Sequence, residues 1–339
     1  MLLLLASALL SLQEAPDGSP ACVFQEVVLV LDGDTLRVRR DGRVETLRLL
    51  SVDTEEKIHG APLSSPSKPE TVFGEETALW AKAFFAGFGE NGEPARVELL
   101  FPGGPGAERR DAYGRLLCHV LLPDGRDYNL LLVELGKSPY FTKYGFDELR
   151  HADFVRTEET AREKRLGIWD PVTNRPKTPG APEAARPYER LLPWWKARAE
   201  AVEAFRAAAR LAPERCLSAE DGPGLEAALD RSLAGPSSEV EVFGEIERFF
   251  DEKDGSLTVL FSSNEKERAL RVTLPATDPR GPLEAWLRAS TEEFRQNYLW
   301  VRGRLARGAR GILLRPADAA SWRLAGPEPT SGSSPPVSR

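Results

Sequence analysis

Histidine and cysteine are scarce in this chain, three of each among 339 residues. Cys22, Cys118 and Cys216 lie far apart, and no pair has the short spacing of a zinc motif. Cys118 sits in a strand-like apolar run and reads as a small buried hydrophobe, while a Cys22–Cys118 bridge stays open for an exported protein. His59, His119 and His151 are equally scattered, which argues against histidine-based metal chemistry or a nucleophile–histidine triad. Long apolar runs are missing too. The stretch Met1 to Leu12 is too short to cross a bilayer as a helix, so no stable membrane insertion is expected. Polar residues follow from Gln13, a pattern that reads as a signal peptide over residues 1–21 and predicts a secreted or periplasmic protein, although the usual basic n-region is absent. Nor is positive charge in excess: the net charge is −7, and residues 21–175 alone carry about −5. This argues against a large electropositive nucleic-acid surface, and a polyanion held here would bind weakly and with strong salt dependence.

What is present is β-rich at both ends. Val27 to Leu31, Thr35 to Arg39 and Val44 to Leu50 read as three strands joined by Asp32-Gly33 and Asp41-Gly42 turns. A Pro/Ser-rich surface loop spans 61–70, and Gly74 opens a helix with Ala78, Ala81, Phe84 and Phe85 on its apolar face. Strands are expected at 96–100 and 116–121, a short helix at 129–135 and a longer one at 146–164. Five strands with helices after the third and fifth describe an OB-type barrel. A Pro/Gly/Thr-rich linker follows, then a helix over 187–211 whose Trp194 and Trp195 suit helix packing. Beyond it come three strands (240–246, 256–261, 267–274), a helix (282–295) and two strands (299–305, 311–314), which suggest a second small, OB-like barrel. The expected division is a signal peptide at 1–21, a barrel at 23–170, linker and helices at 171–236, a second β-rich unit at 237–326 and a disordered tail at 327–339.

Three short segments concentrate the chemistry: Asp32-Gly33-Asp34-Thr35, Arg48-Leu49-Leu50-Ser51-Val52-Asp53-Thr54-Glu55-Glu56 and Asp111-Ala112-Tyr113-Gly114-Arg115. Among their carboxylates, Asp34, Asp53 and Glu56 join the two arginines in a set suited to one hard divalent cation and one phosphodiester. Taken singly, Asp34 would be a turn cap, and Arg48 and Arg115 would be surface arginines in salt bridges.

In their order and spacing these segments resemble the staphylococcal nuclease family over about residues 25–170, including Gly167-Ile168-Trp169. The resemblance implies an OB-fold nuclease with Asp34 and Asp53 as carboxylate ligands of Ca²⁺ and Thr54 contributing its backbone carbonyl. It implies Arg48 and Arg115 as the phosphate clamp, whose forked donors match two phosphoryl oxygens, and Glu56 as the carboxylate beside the attacking water, as base or as orienting group. Tyr113 aligns with a residue that contacts the nucleotide phosphate and Tyr140 with one that packs on the base; a half-buried barrel tyrosine is the alternative for each. The sequence departs from the pattern at Glu55, where proline is common, and at Thr142, where a second aromatic is expected, with Tyr144 nearby.

The function implied is hydrolysis of single-stranded DNA or RNA with low sequence specificity, leaving 3′-phosphate ends. A non-catalytic OB module that binds nucleic acid or protein is the alternative, and the C-terminal unit, without an Asp/Arg set, is a place for a protein partner.

Overall fold

The structure, a computed structural model, describes residues 24–58, 67–89, 93–104, 107–174, 185–235, 239–276 and 280–327. The expected signal peptide, Cys22, His59 and nearly all of the C-terminal tail fall outside these residues.

The first strands form because alternation separates two faces. In β2 (Thr35–Arg40) Leu36 and Val38 are fully buried while Arg37 and Arg39 point outward. β1 (Gln25–Val30) and β3 (Arg43–Leu49) flank it antiparallel, and the β2–β3 turn places Asp41 and Gly42 in the left-handed region that a two-residue hairpin requires. After α1 (Val72–Phe88) come β4 (Arg96–Leu100), the two-residue β5 (Arg109–Arg110) and β6 (Leu116–Leu121). β4 pairs with β1 and β6, and β6 closes the ring by running parallel to β3. α2 (Tyr128–Glu134) and α3 (His151–Glu163) cover the barrel, whose interior includes Leu47, Leu116, Val120, Tyr128 and Phe154.

The second barrel repeats this circuit. β8 (Val240–Asp251), β9 (Leu257–Phe261) and β10 (Arg271–Leu274) form a meander; α6 (Arg280–Ser290) follows, then β11 (Tyr298–Gly308) and β12 (Gly311–Arg315). β12 pairs parallel with β10 and antiparallel with β11, and β11 closes onto β8. Both units are therefore five-stranded closed barrels of OB type, as the sequence suggested. Between them run α4 (Tyr188–Leu211), β7 (Cys216–Ser218) and α5 (Gly222–Ala234), and β13 (Trp322–Leu324) ends the described chain beside β11.

Several boundaries differ from expectation for identifiable reasons. Helix α1 opens at Val72, because the Thr71 side chain caps it by accepting from the Gly74 N–H. Helix α3 opens late, at His151, because the Asp147 carboxylate accepts from the Leu149 and Arg150 N–H groups and holds that stretch in a turn. Helix α6 ends at Ser290, short of Phe294, whose φ of 65° is not helical. Residues 266–268 form one 3₁₀ turn ahead of β10. The stretch expected to hold linker and helices also contains a strand, β7, paired parallel with β8, and its helix α5 sends Leu225 and Leu229 into the second barrel's core.

Candidate active site

Parallel pairing of β3 with β6 sets Leu47 beside Leu116 and Arg48 beside Leu117. Leu47 and Leu116 are fully buried, so the pleat sends Arg48, and Arg115 one step before Leu116, to the outer face of these two strands. Asp34 arrives on the β1–β2 turn. Its carbonyl accepts from the Leu49 N–H at 3.0 Å, and its carboxylate accepts from the Thr54 N–H at 2.8 Å and the Thr35 hydroxyl at 3.1 Å. One turn residue thereby fixes the loop that carries Asp53 and Thr54.

That loop is also held from behind. Ser51 sits at a φ of 63°; its hydroxyl donates to Asp147 at 2.5 Å and its carbonyl accepts from the Phe141 N–H at 2.9 Å. The Asp53 N–H donates to the Ser138 hydroxyl at 2.8 Å, and the buried Asn129 amide donates to the Leu50 carbonyl at 2.9 Å. His119 underlies the arrangement, its two ring nitrogens 2.9 Å from Asp127 and Asp147. Burial alone would lower its pKa, but the two carboxylates more than offset this and push it up to about 9. A proton bound more tightly in the folded than in the unfolded state stabilises the fold at low pH. The stability from His119 should thus be complete below its ordinary value of 6.5 and vanish as pH rises through about 9. Urea unfolding between pH 6 and 10 should show this decline in the wild type and a flatter profile in His119→Gln.

At the centre lies a cluster of opposite charges. Arg48 reaches Asp34 Oδ2 at 3.0 Å and Asp53 Oδ1 at 2.5 Å. Lys68 lies 2.9 Å from Asp53 Oδ1 and 3.6 Å from Glu56 Oε1. Arg186 pairs with Asp53 Oδ2 and donates to the Asp53 carbonyl at 3.0 Å. Burial would raise the Asp53 pKa, but Arg186, Lys68 and Arg48 hold it well below the carboxylate range. Asp32, beside Asp34, moves the other way: burial and the Asp34 charge push it up to about 7.

Among the described residues no group of three or more His, Cys, Asp or Glu is arranged to hold a metal. Asp34 and Asp53 do lie together beside Thr54, yet guanidinium and ammonium groups already cover their oxygens. As arranged, the set implied for Ca²⁺ does not fit a divalent ion.

Glu55 and Glu56 part company. Glu55 is 2% exposed; it accepts from the Thr71 hydroxyl at 2.5 Å, the Asn174 amide at 2.8 Å and the Tyr188 hydroxyl at 3.1 Å. The departure from proline thus builds an anchor between the loop, the α1 cap and the chain beyond the barrel. Glu56 has 41% of its side chain exposed, and its carbonyl accepts from the Thr71 N–H at 3.0 Å. Gly74 makes this approach possible, since a Cβ there would lie 2.1 Å from the Glu56 carbonyl oxygen. Gly74→Ala should cost about 1–3 kcal/mol in thermal unfolding, because backbone rather than a flexible side chain must give way.

The aromatic positions divide. Tyr113 is 86% exposed, with Arg115 over its ring at 5.4 Å and Arg115 Nε 2.7 Å from Asp111. Tyr140 is buried: its ring stacks on Phe154 at 5.0 Å, and its hydroxyl meets His151 and accepts from the Asp147 N–H. The expected base-packing face at Tyr140 is therefore turned into the core. Thr142 is buried too, whereas Tyr144 is 59% exposed. Trp195 packs edge-on against Phe141 at 4.8 Å, as suits a packing tryptophan. Sequence reasoning missed Lys68 and Arg186. Lys68 lies in the loop read as surface, and Arg186 is 133 residues from Asp53 with no local pattern to reveal it.

The match to known families falls on this barrel. Residues 46–171 match the model of the staphylococcal nuclease homologue family. This segment is similar to staphylococcal nuclease homologues. The match holds Arg48, Asp53, Glu56 and Arg115, and does not extend into the C-terminal half. Individual proteins are similar over part of this chain. Endonuclease YhcR of Bacillus subtilis is 28% identical over 173 residues, covering 50% of this chain and 13% of that protein. The SPbeta prophage-derived endonuclease YokF of the same organism is 30% identical over 139 residues, 41% of each chain. Endonuclease YncB, again from B. subtilis, is 30% identical over 148 residues, 43% of this chain and 62% of that one. The chain thus spans well under half the length of the first two.

Proposed function

We propose that this protein is a nuclease that hydrolyses phosphodiester bonds of single-stranded DNA or RNA with low sequence specificity, leaving 3′-phosphate ends. The observation that supports it most is Arg48 on the outer face of β3, touching both Asp34 and Asp53, with Arg115 on the same face of the neighbouring β6, inside the family-matched segment. Arg48 and Arg115 take the phosphoryl oxygens and offset charge as phosphorus becomes five-coordinate. Glu56, half exposed at the rim, orients the attacking water and accepts its proton as the 5′-oxygen leaves. Tyr113 and Tyr144 supply ring faces on which bases stack without regard to sequence. Calcium, the cofactor implied by the family resemblance at Asp34, Asp53 and the Thr54 carbonyl, does not fit these covered carboxylates, and no step above is routed through it.

Digestion of single-stranded DNA with calcium and with chelator tests the proposal. Wild type should cut and leave 3′ ends that join a 5′-phosphorylated adaptor only after 3′-phosphatase treatment, and Arg115→Lys, which keeps the charge without the fork, should cut at least about ten-fold more slowly. An intact substrate under every ionic condition would sink the enzyme reading. It would favour the second one, a non-catalytic OB module, which the cations on Asp53 support.

A further inference from the structure

Arg186 stands outside the family-matched segment, which ends at residue 171, yet it reaches the heart of the site. Its side chain is 2% exposed, and each part of the guanidinium is engaged. Nη2 pairs with Asp53 Oδ2, Nη1 donates to the Asp53 carbonyl at 3.0 Å, and Nε donates to the Ser67 carbonyl at 3.1 Å. The rings of Trp195 and Tyr188 flank it at 5.3 and 5.8 Å. Tyr188 in turn donates to Glu55, so α4 is tied to the same loop one turn away. A guanidinium with this many fixed partners, out of water, is built in rather than resting on a surface.

The position matters because of what it covers. Asp53 has two carboxylate oxygens. Oδ2 faces Arg186; Oδ1 faces Arg48 and Lys68. A divalent ion bound through Asp53 would stand within a few ångströms of these cations, and like charges at that distance in a buried site repel strongly. Lys68 approaches from the open side with 40% of its side chain exposed, and Arg48 has 14% of its side chain exposed. Arg186 is 2% exposed, and moving it would loosen the segment before α4 from Asp53 and Ser67.

We propose that Arg186 is a resident cation that takes the place of a divalent ion at Asp53, so that guanidinium and metal exclude each other. This rests on reading Asp34 and Asp53 as the pair that would hold the ion. It makes metal access to the nuclease barrel depend on the segment that leads into α4.

Calorimetric titration of the full chain with Ca²⁺ tests it. Arg186→Gln should bind Ca²⁺ at least ten-fold more tightly than wild type, and adding Asp34→Asn to that variant should abolish the gain. Arg186→Lys, which keeps the charge but makes one contact instead of a fork, should fall between them and answers the question should the glutamine variant fail to fold. Equal Ca²⁺ affinity in wild type and in the folded Arg186 variants would overturn the proposal. Cleavage of single-stranded DNA in parallel separates the two readings. Tighter Ca²⁺ binding without cleavage by any variant upholds the exclusion and sinks the nuclease assignment. Cleavage by wild type with Ca²⁺ affinity indifferent to residue 186 does the reverse.

Discussion

Arg48→Ala is expected to lower kcat/KM for single-stranded DNA by about 10²–10³-fold, the effect of removing one positioned donor to a developing oxyanion. The magnitude follows from where the guanidinium sits. Among the described residues it is the one cation that touches both Asp34 and Asp53, and it also donates to the Val52 carbonyl at 3.0 Å. Removing it therefore takes charge from the phosphate site and support from the loop that bears Asp53. The second loss should appear as about 1–3 kcal/mol of stability, the usual range for a hydrogen bond to a charged group. Arg48→Lys separates the two: its ammonium restores much of the unfolding free energy but not the rate, because it lacks the fork. If thermal unfolding and kcat/KM recover together in the lysine variant, Arg48 acts only through folding and the clamp assignment is wrong.

Arg198→Ala should give the largest loss of stability, about 3–5 kcal/mol, because it leaves a mostly buried carboxylate without its partner. Arg198 is fully buried in the middle of α4. Its guanidinium pairs with Glu245 on β8 at 2.7 Å, meets the Asn297 side chain, lies over the Tyr298 ring at 4.0 Å, and donates from Nε to the Lys143 carbonyl at 3.0 Å. Lys143 belongs to the first barrel, and Glu245 to the second. Denaturant unfolding followed separately by the tryptophans near each barrel should show one transition in wild type and two in the variant. One unchanged transition would mean that the barrels are joined by other contacts.

The legible part of this molecule was local. Asp34, Arg48 and Asp53 stand within 20 residues of one another, at turns and strand ends whose patterns read plainly, and the structure brings them into contact. Both barrels could be read from strand alternation and from the helix after each third strand. Tyr140 could not, because alignment fixes a position along the chain and not the direction in which its ring turns; the bonds to His151 and Asp147 decide that. Helix α5 was hidden by Gly222-Pro223-Gly224, which reads as a breaker, although Pro suits a first turn and Asp221 caps it through the Gly224 N–H. Arg186 and Lys68 were invisible for a different reason: an isolated cation in a polar segment carries no period or spacing, and only the fold tells which carboxylate it meets.

The 133 residues between Asp53 and Arg186 also have a meaning in time. Chains fold from the N-terminus as they emerge, at roughly 5–20 residues per second, so Asp53 precedes Arg186 by roughly 7–27 s. In that interval Asp53 has Arg48 and Lys68 for company and nothing from α4. Contacts between distant segments pay their loop entropy before they give anything back, and the bond from the Ser67 N–H to Glu293 closes a still longer loop of 226 residues. The newborn barrel is therefore a different electrostatic object from the finished one, with a pair of carboxylates less well neutralised until the rest of the chain arrives.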